Sequence, residues 1–186
     1  LNKPSKNDLE NTDLFGFLDE LKRQGKTKYS GVIVGDIEAG FQCIESGKVD
    51  CLQIFYNLLY QETESLISKA RINGLGLLVR SPLNSGLLTG SYNKDTVFES
   101  NDARWTFFKG DEFSQRLQIL NRIQKDLNIS GDQLMEYSMR FVLSHQDGII
   151  PIPATSKVSQ INELAKFANN SPRFDSGGLA NIKEII

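Results

Sequence analysis

The 186-residue chain is poor in the residues most often used to bind metals or attack substrates. It has one histidine, two cysteines and one tryptophan. Two cysteines are too few for a disulfide framework or a four-ligand zinc site. Cys43 and Cys51 lie in segments that read as buried helix and strand, so they are expected to be reduced core thiols in an intracellular compartment. A lone histidine supports neither a metal cluster nor an acyl-transfer triad. His145 sits in Val142-Leu143-Ser144-His145-Gln146-Asp147-Gly148, which reads as a helix end closed by Gly148, where a histidine meets the helix dipole. An excess of one charge is also missing. The 21 Lys and Arg nearly balance the 23 Asp and Glu, for a net charge of -2, which offers nucleic acid no attraction. Apolar runs are too short to cross a bilayer, and no secretory signal is recognisable. These absences point to a cytoplasmic protein with neither a nucleic-acid nor a membrane partner. The 39% of hydrophobic residues suffices for the core of a single domain over residues 1–186.

Four short apolar, β-branched runs occur at residues 29–34 (YSGVIV), 50–56 (DCLQIFY), 74–80 (GLGLLVR) and 148–153 (GIIPIP). Bounded by glycine, proline or polar residues, they read as strands buried on both faces. Helical periodicity lies between them. Leu14, Phe17, Leu18 and Leu21 fall on one face of residues 11–24, with Gly25 as the stop. Shorter helices are expected over 37–45 and 65–72, and a longer pair over 112–127 and 130–143. The second of that pair opens on Ser130 with Gln133 three residues on, a capping box. Helices over 159–169 and 178–186 complete the chain. Residues 89–111 are polar and read as one long functional loop. Strand and helix alternate four times, which is the pattern of parallel βαβ units. Length alone favours an open doubly wound sheet over part of a barrel, since a whole barrel needs about 250 residues.

Four motifs favour the barrel. Directly after the third strand stands Arg80-Ser81-Pro82-Leu83-Asn84-Ser85-Gly86-Leu87-Leu88-Thr89-Gly90. It resembles the SPLxxGLLTG signature of the aldo-keto reductases. Gly25-Lys26-Thr27-Lys28-Tyr29-Ser30-Gly31-Val32 is similar to that family's GKIRxIGVSN, and Leu52-Gln53-Ile54-Phe55-Tyr56-Asn57 to its LQxxYN. Residues 150–164, from Ile150-Pro151-Ile152-Pro153-Ala154-Thr155-Ser156-Lys157 to Leu164, resemble its eighth strand and following helix. The four occur in family order. The resemblance implies an α/β fold of the (β/α)8 TIM-barrel type, of which this chain holds about the last four β/α units and a C-terminal helix.

The resemblance also implies an NADP(H) site. Gln53 would hold the nicotinamide carboxamide, and Arg80 stands where many members place an aromatic against the nicotinamide. Ser81, Pro82, Leu83, Asn84, Ser85, Gly86 and Leu88 would wrap the pyrophosphate, since small residues let backbone amides approach phosphate closely. Arg104, in the long loop, would close over the same pyrophosphate. Ala154, Ser156, Lys157, Gln160 and Glu163 would hold the adenosine and its 2'-phosphate at a helix start. Family catalysis uses Asp, Tyr, Lys and His. The first three belong to the other half of the barrel, and Asn2 occupies the place of the His, where it can hydrogen-bond but not titrate. The family's Ser-Asn pair after strand five is Ile33-Val34 here. The chain opens on Leu1, and a half barrel would leave apolar strand edges bare, so a longer protein with the catalytic half upstream is expected. The implied activity is reduction of an aldehyde or ketone to an alcohol, with a small-molecule carbonyl as partner. The alternative is an inactive nucleotide-binding or interaction module, including a half barrel that pairs its edges as a homo-oligomer.

Overall fold

A computed structural model describes residues 1–186 except 109, 146, 147, 156, 171 and 186. The elements in chain order are α1 (Lys6–Glu10), α2 (Thr12–Arg23), β1 (Gly31–Ile33), α3 (Ile37–Ser46), β2 (Cys51–Phe55), α4 (Glu64–Ile72) and β3 (Gly76–Arg80). A 3-10 helix (Asn84–Thr89) follows, then α5 (Ala103–Phe107), α6 (Glu112–Asp126), α7 (Gly131–Leu143), β4 (Ile149–Ile152), α8 (Val158–Asn170) and α9 (Ser176–Ile185). The four strands form one parallel sheet in the order β1-β2-β3-β4, each joined to the next through helix. Parallel neighbours in sequence order, with helical crossovers, make an arc of a (β/α)8 barrel. Among the described residues no helix is long and apolar enough to cross a membrane.

Two compact units divide the chain. The first comprises Leu1–Pro82 and His145–Ala154 and holds the sheet. Side chains alternate along each strand, so one face carries Val32, Leu52, Ile54, Leu77 and Val79, all buried. Burying each such residue contributes about 1.5–3 kcal/mol. The other face is only half covered, and Ile150 and Ile152 of β4 are 56% and 38% exposed. The strands are therefore not buried on both faces as their composition suggests. An apolar run marks a strand, but what covers each face depends on distant elements. Beside β1 the segment around Asn2 adds a parallel bridge to Ile33. The Lys3 amide donates to the Ile33 carbonyl at 2.8 Å, and the Ile33 amide to the Leu1 carbonyl at 2.7 Å.

The local signals explain the helices. Asn11 caps α2 by accepting from the amides of Asp13 and Leu14, and Asp36 caps α3 through the Ala39 amide. Gly47 ends α3 in the left-handed region. At the sheet's N-terminal edge, Asp50 takes Lys22 Nζ at 2.6 Å and the Ser30 amide at 2.7 Å, which ties α2 to the strands. Burial works against the Asp50 charge, but these donors outweigh it and hold the carboxyl below its ordinary value. Cys43 is buried and Cys51 half-buried, and both are free thiols. Burial raises the pKa of each, so neither is an activated nucleophile. His145 does more than meet a helix end. Its Nε2 lies 2.6 Å from the hydroxyl of the fully buried Tyr56, with the two rings edge to face at 5.0 Å.

The second unit comprises Leu83–Ser144 and Thr155–Ile186. Ser130 opens α7 with the expected capping box, its amide donating to Gln133 Oε1 at 3.0 Å. Met135, Met139 and Leu164 form a buried cluster, with Leu83 and Phe167 against it. Ser144 Oγ accepts from the Phe174 amide at 2.6 Å, and the Arg140 guanidinium stacks on the Phe174 ring. Residues 89–111 depart from the expected polar loop. They contain α5, and Tyr92, Phe98 and Phe108 pack with Phe113 of α6 in an aromatic cluster, with ring centroids 5.3–6.4 Å apart. The many Asn, Asp and Ser residues between these aromatics mask the cluster in the sequence.

Candidate functional site

In the first unit the strand register sets the candidate residues in rows. Asn2, Ile33, Gln53, Leu78 and Ile150 are successive partners across the sheet. Paired residues of a parallel sheet share a face, so Asn2 and Gln53 lie on the half-covered one. Gln53 is half-buried, and its carboxamide makes no hydrogen bond among the described residues. One row nearer the C-terminal edge come Phe55, Arg80 and Ile152. The Arg80 guanidinium lies over the Phe55 ring, 4.9 Å from its centroid, an arrangement that stabilises a half-buried cation. Its buried Nε has no acceptor among the described residues, and burial lowers the guanidinium pKa. Val34, at one position of the missing Ser-Asn pair, is buried, and its amide donates to the Gln53 carbonyl at 2.9 Å.

The chain leaves β3 under tension. Ser81 has a φ of 54°. Its carbonyl accepts from Nδ2 of the buried Asn57 at 3.1 Å, while Asn57 Oδ1 accepts from the amides of Leu59 and Tyr60. Asn57 closes the family-like LQxxYN run. Its structural task was not evident from the sequence, because its partner lies 24 positions away. Pro82 is buried. Ala154, just past β4, is exposed.

In the second unit the signature becomes the 3-10 helix, with three consecutive positive φ values: 46° at Asn84, 55° at Ser85 and 90° at Gly86. Left-handed conformations cost a non-glycine residue about 1–2 kcal/mol, less for Asn. Gly86 has a second constraint, since a Cβ there would meet the Tyr92 hydroxyl at 2.4 Å. Asn84 is fully buried, and among the described residues neither atom of its carboxamide has a partner. Such an orphaned group costs about 1–3 kcal/mol. Strain and unmet polar groups gathered in one loop are typical of functional sites rather than of connectors. Hydrogen bonds hold the loop, among them a bond from the Leu88 amide to the Leu83 carbonyl at 3.2 Å. The Leu83 carbonyl accepts from the Gly86 amide at 3.0 Å, Thr89 Oγ1 donates to the Gly86 carbonyl at 2.7 Å, and the Tyr92 hydroxyl donates to the Ser85 carbonyl at 3.0 Å. Ser85 is exposed, whereas Leu88 is buried and Leu83 packs on the methionine cluster. Either leucine could therefore offer a ligand only its backbone.

Arg104 lies at the start of α5, whose cap Asp102 accepts from the Arg104 amide and from its Nε at 2.9 Å. Its Nη1 donates to the Tyr92 hydroxyl at 2.7 Å. The hydrogen-bonded Arg104 draws the Asp102 carboxyl down to about 2. At the start of α8, Lys157 and Glu163 are exposed and Gln160 is half-buried. Thr155, which sequence reasoning passed over, organises this turn. Its Oγ1 accepts from the Lys157 amide at 3.1 Å and donates to Gln160 Oε1. The adjacent candidate Ser156 lies outside the described residues. Among those residues no group of three His, Cys, Asp or Glu could hold a metal ion.

Comparison with known proteins matches this arrangement to one family. The sequence profile of the aldo/keto reductase family matches residues 4–186. The chain is 26% identical over 147 residues to the NADH-specific methylglyoxal reductase of Escherichia coli, covering 78% of this chain and 45% of that protein. It is 24% identical over 156 residues to aldo-keto reductase yakc of Schizosaccharomyces pombe, whose name specifies NADP(+), covering 81% of this chain and 46% of that one. Among solved structures it superposes on glycerol dehydrogenase AKR11B4 from Gluconobacter oxydans with a TM-score of 0.75, at 21% identity, over 99% of this chain and 56% of that one. This chain thus spans about half the length of the curated relatives it matches. With four parallel strands in barrel order, the signature loop after β3 and a family match over nearly every residue, the chain belongs to the aldo/keto reductase family.

Proposed function

We propose that this chain supplies the dinucleotide-holding part of an NADP(H)-dependent oxidoreductase that reduces an aldehyde or ketone to its alcohol. The observation that carries the reading is the strained loop after β3, where three successive positive φ values and the unpartnered Asn84 carboxamide coincide with the family signature. These residues fit the cofactor. The first unit offers the free Gln53 carboxamide, able to donate to and accept from a nicotinamide carboxamide, and the Arg80 Nε without an acceptor. The second offers the backbone of residues 83–86 and the exposed Ser85 to phosphate oxygens. Arg104 is the adjacent cation, and Lys157, Gln160 and Glu163, with Ser156, serve the adenosine end. When bound, the reduced cofactor supplies the hydride. Asn2 would orient a carbonyl oxygen by hydrogen bonding, and the proton would come from the family's Tyr, supported by its Asp and Lys, none of which these residues include. A cytoplasmic location goes with this reading.

Lys157 favours NADP(H) over NAD(H). It is an exposed cation at the start of α8, with no partner among the described residues, and is available to a 2'-phosphate. Titration followed by NADPH and NADH fluorescence tests both claims. Saturable binding with tighter NADPH is expected, and Lys157→Ala should weaken NADPH about tenfold, or about 1.4 kcal/mol, with little change for NADH. If neither dinucleotide binds, the reading fails. A second reading, a binding module without turnover or an edge-paired homo-oligomer, is favoured by Asn2, Ile33 and Val34, which replace polar family residues. It predicts dinucleotide binding with no oxidation of NADPH by any aldehyde.

A further inference from the structure

Tyr92 stands between two groups that have no sequence proximity to each other. On one side its hydroxyl donates to the Ser85 carbonyl at 3.0 Å. On the other it accepts from Arg104 Nη1 at 2.7 Å. Arg104 is in turn fixed by Asp102, through Nε at 2.9 and 3.0 Å to the two carboxylate oxygens, and its guanidinium lies 5.1 Å from the centroid of the Phe98 ring. The hydroxyl also fills the space where a side chain at residue 86 would sit.

The arrangement is directional. A hydroxyl has one proton to give. Because Arg104 can only donate, it occupies an acceptor site of the Tyr92 oxygen and leaves that single proton for the Ser85 carbonyl. A charged donor on the same oxygen also makes the hydroxyl a stronger donor toward Ser85. Ser85 is the middle residue of the positive-φ run, the one with neither the small cost of asparagine nor the freedom of glycine, so its peptide most needs an external restraint.

We infer that Tyr92, oriented by Arg104 and Asp102, is the positioning residue of the loop at Asn84, Ser85 and Gly86, and that its hydroxyl couples the affinity of that loop for a dinucleotide to the Arg104–Asp102 pair at the start of α5. The identity of the ligand rests on the functional reading above, whereas the restraint itself does not. Arg104 then acts on the loop through Tyr92. This differs from the direct pyrophosphate contact that the family resemblance implies, and it leaves the arginine engaged before any ligand arrives. The carboxylate of Asp102, held as a charge to far below neutral pH, keeps the relay assembled across the physiological range.

Three variants test the relay. Tyr92→Phe removes the hydroxyl and keeps the ring in the aromatic cluster. Arg104→Met removes the orienting donor. Phe113→Leu loosens the cluster and leaves both hydrogen bonds. Amide hydrogen exchange of residues 83–90 is followed by mass spectrometry, with α7 as the internal standard, and NADPH affinity is measured at a temperature where all variants are folded. Tyr92→Phe and Arg104→Met should both speed exchange in 83–90 and weaken NADPH roughly five- to tenfold, the worth of one hydrogen bond. Phe113→Leu should lower the melting temperature with affinity unchanged. A purely structural role would instead make affinity follow melting temperature in all three, and that result overturns the inference. Unchanged exchange in Tyr92→Phe overturns it too, whether or not cofactor binds. If the unsubstituted protein binds neither NADPH nor NADH, the functional reading falls separately, and exchange in 83–90 alone decides for or against the restraint.

Discussion

Asn57 makes three hydrogen bonds with one carboxamide, and each restrains a turn at the C-terminal edge of the sheet. Its two acceptor contacts close the turn to Tyr60, and its donor contact holds the carbonyl of Ser81, a residue already at positive φ. Asn57 is fully buried, so removing the side chain takes the Oδ1 acceptor from the Leu59 amide and the Nδ2 donor from the Ser81 carbonyl, while the Tyr60 amide keeps the Asn57 backbone carbonyl at 3.0 Å, and it opens a small void. Asn57→Ala should therefore cost about 2–4 kcal/mol in chemical denaturation. Gln61→Ala, which loses one half-buried contact to the Leu58 carbonyl, should cost about 1 kcal/mol or less. Equal losses would mean that the Asn57 network contributes nothing beyond a single bond. Arg80 has the opposite character, because its Nε is buried without an acceptor among the described residues and its guanidinium lies over the Phe55 ring. Truncating it leaves nothing unpaired, so Arg80→Leu should change stability little while weakening a dinucleotide or anionic substrate.

The 3-10 helix meets α7 at a pair of glycines, and this contact sets how closely the signature loop can approach. Gly90 ends the 3-10 helix at φ 74°, and a Cβ there would lie 2.2 Å from the Gly131 carbonyl oxygen. Gly47 ends α3 at φ 63° with open space around it. The same substitution at the two sites separates conformation from crowding. Gly47→Ala should cost about 1 kcal/mol, the left-handed penalty alone. Gly90→Ala should cost several times more, because rigid backbone must move, and it should also perturb amide exchange in 83–90. Comparable losses would show that the contact yields easily. Elements of this kind were partly legible in the sequence. Apolar spacing and glycine stops place α2, α3 and α7 within a residue or two of their observed bounds, since caps and periodicity are local. The short α1 was missed, although Ser5 and Asp8 form its capping box, because five residues carry no periodic signal. The aromatic cluster around Tyr92 was missed for a different reason. Its members are spread over residues 92–113, and only the fold brings the rings together. Likewise the signature marked the loop after β3, but nothing local showed that Ser85 is held by a tyrosine seven residues on.

Ionisable groups across the molecule shift in two directions, and together they bound the pH range of the fold. Asp8, Glu20, Asp50 and Asp102 all have carboxyls lowered below their ordinary values of 3.8 or 4.5 by side-chain and backbone donors, with Asp50 held down against its burial. A lowered folded pKa means that the unfolded chain takes up protons first. The stabilisation from these four groups is therefore present above about pH 4.5 and is lost as pH falls through the folded values. Cys43, Cys51 and Tyr56 shift upward, chiefly through burial, from ordinary values of 9.0 and 10.0. Their folded forms keep the proton that the unfolded chain releases, so stability declines once pH passes 9.0. The midpoint of urea unfolding should thus be flat between about pH 5 and 8.5 and fall on both sides. The two limbs arise from different groups. Replacing Asp50 by Asn should lower the plateau and flatten the acid limb, because Asn keeps an acceptor for Ser30 but offers Lys22 no charge. Replacing Tyr56 by Phe should leave the acid limb untouched and flatten the alkaline one. An acid limb unchanged in Asp50→Asn would show that the tie between α2 and the strands does not depend on charge.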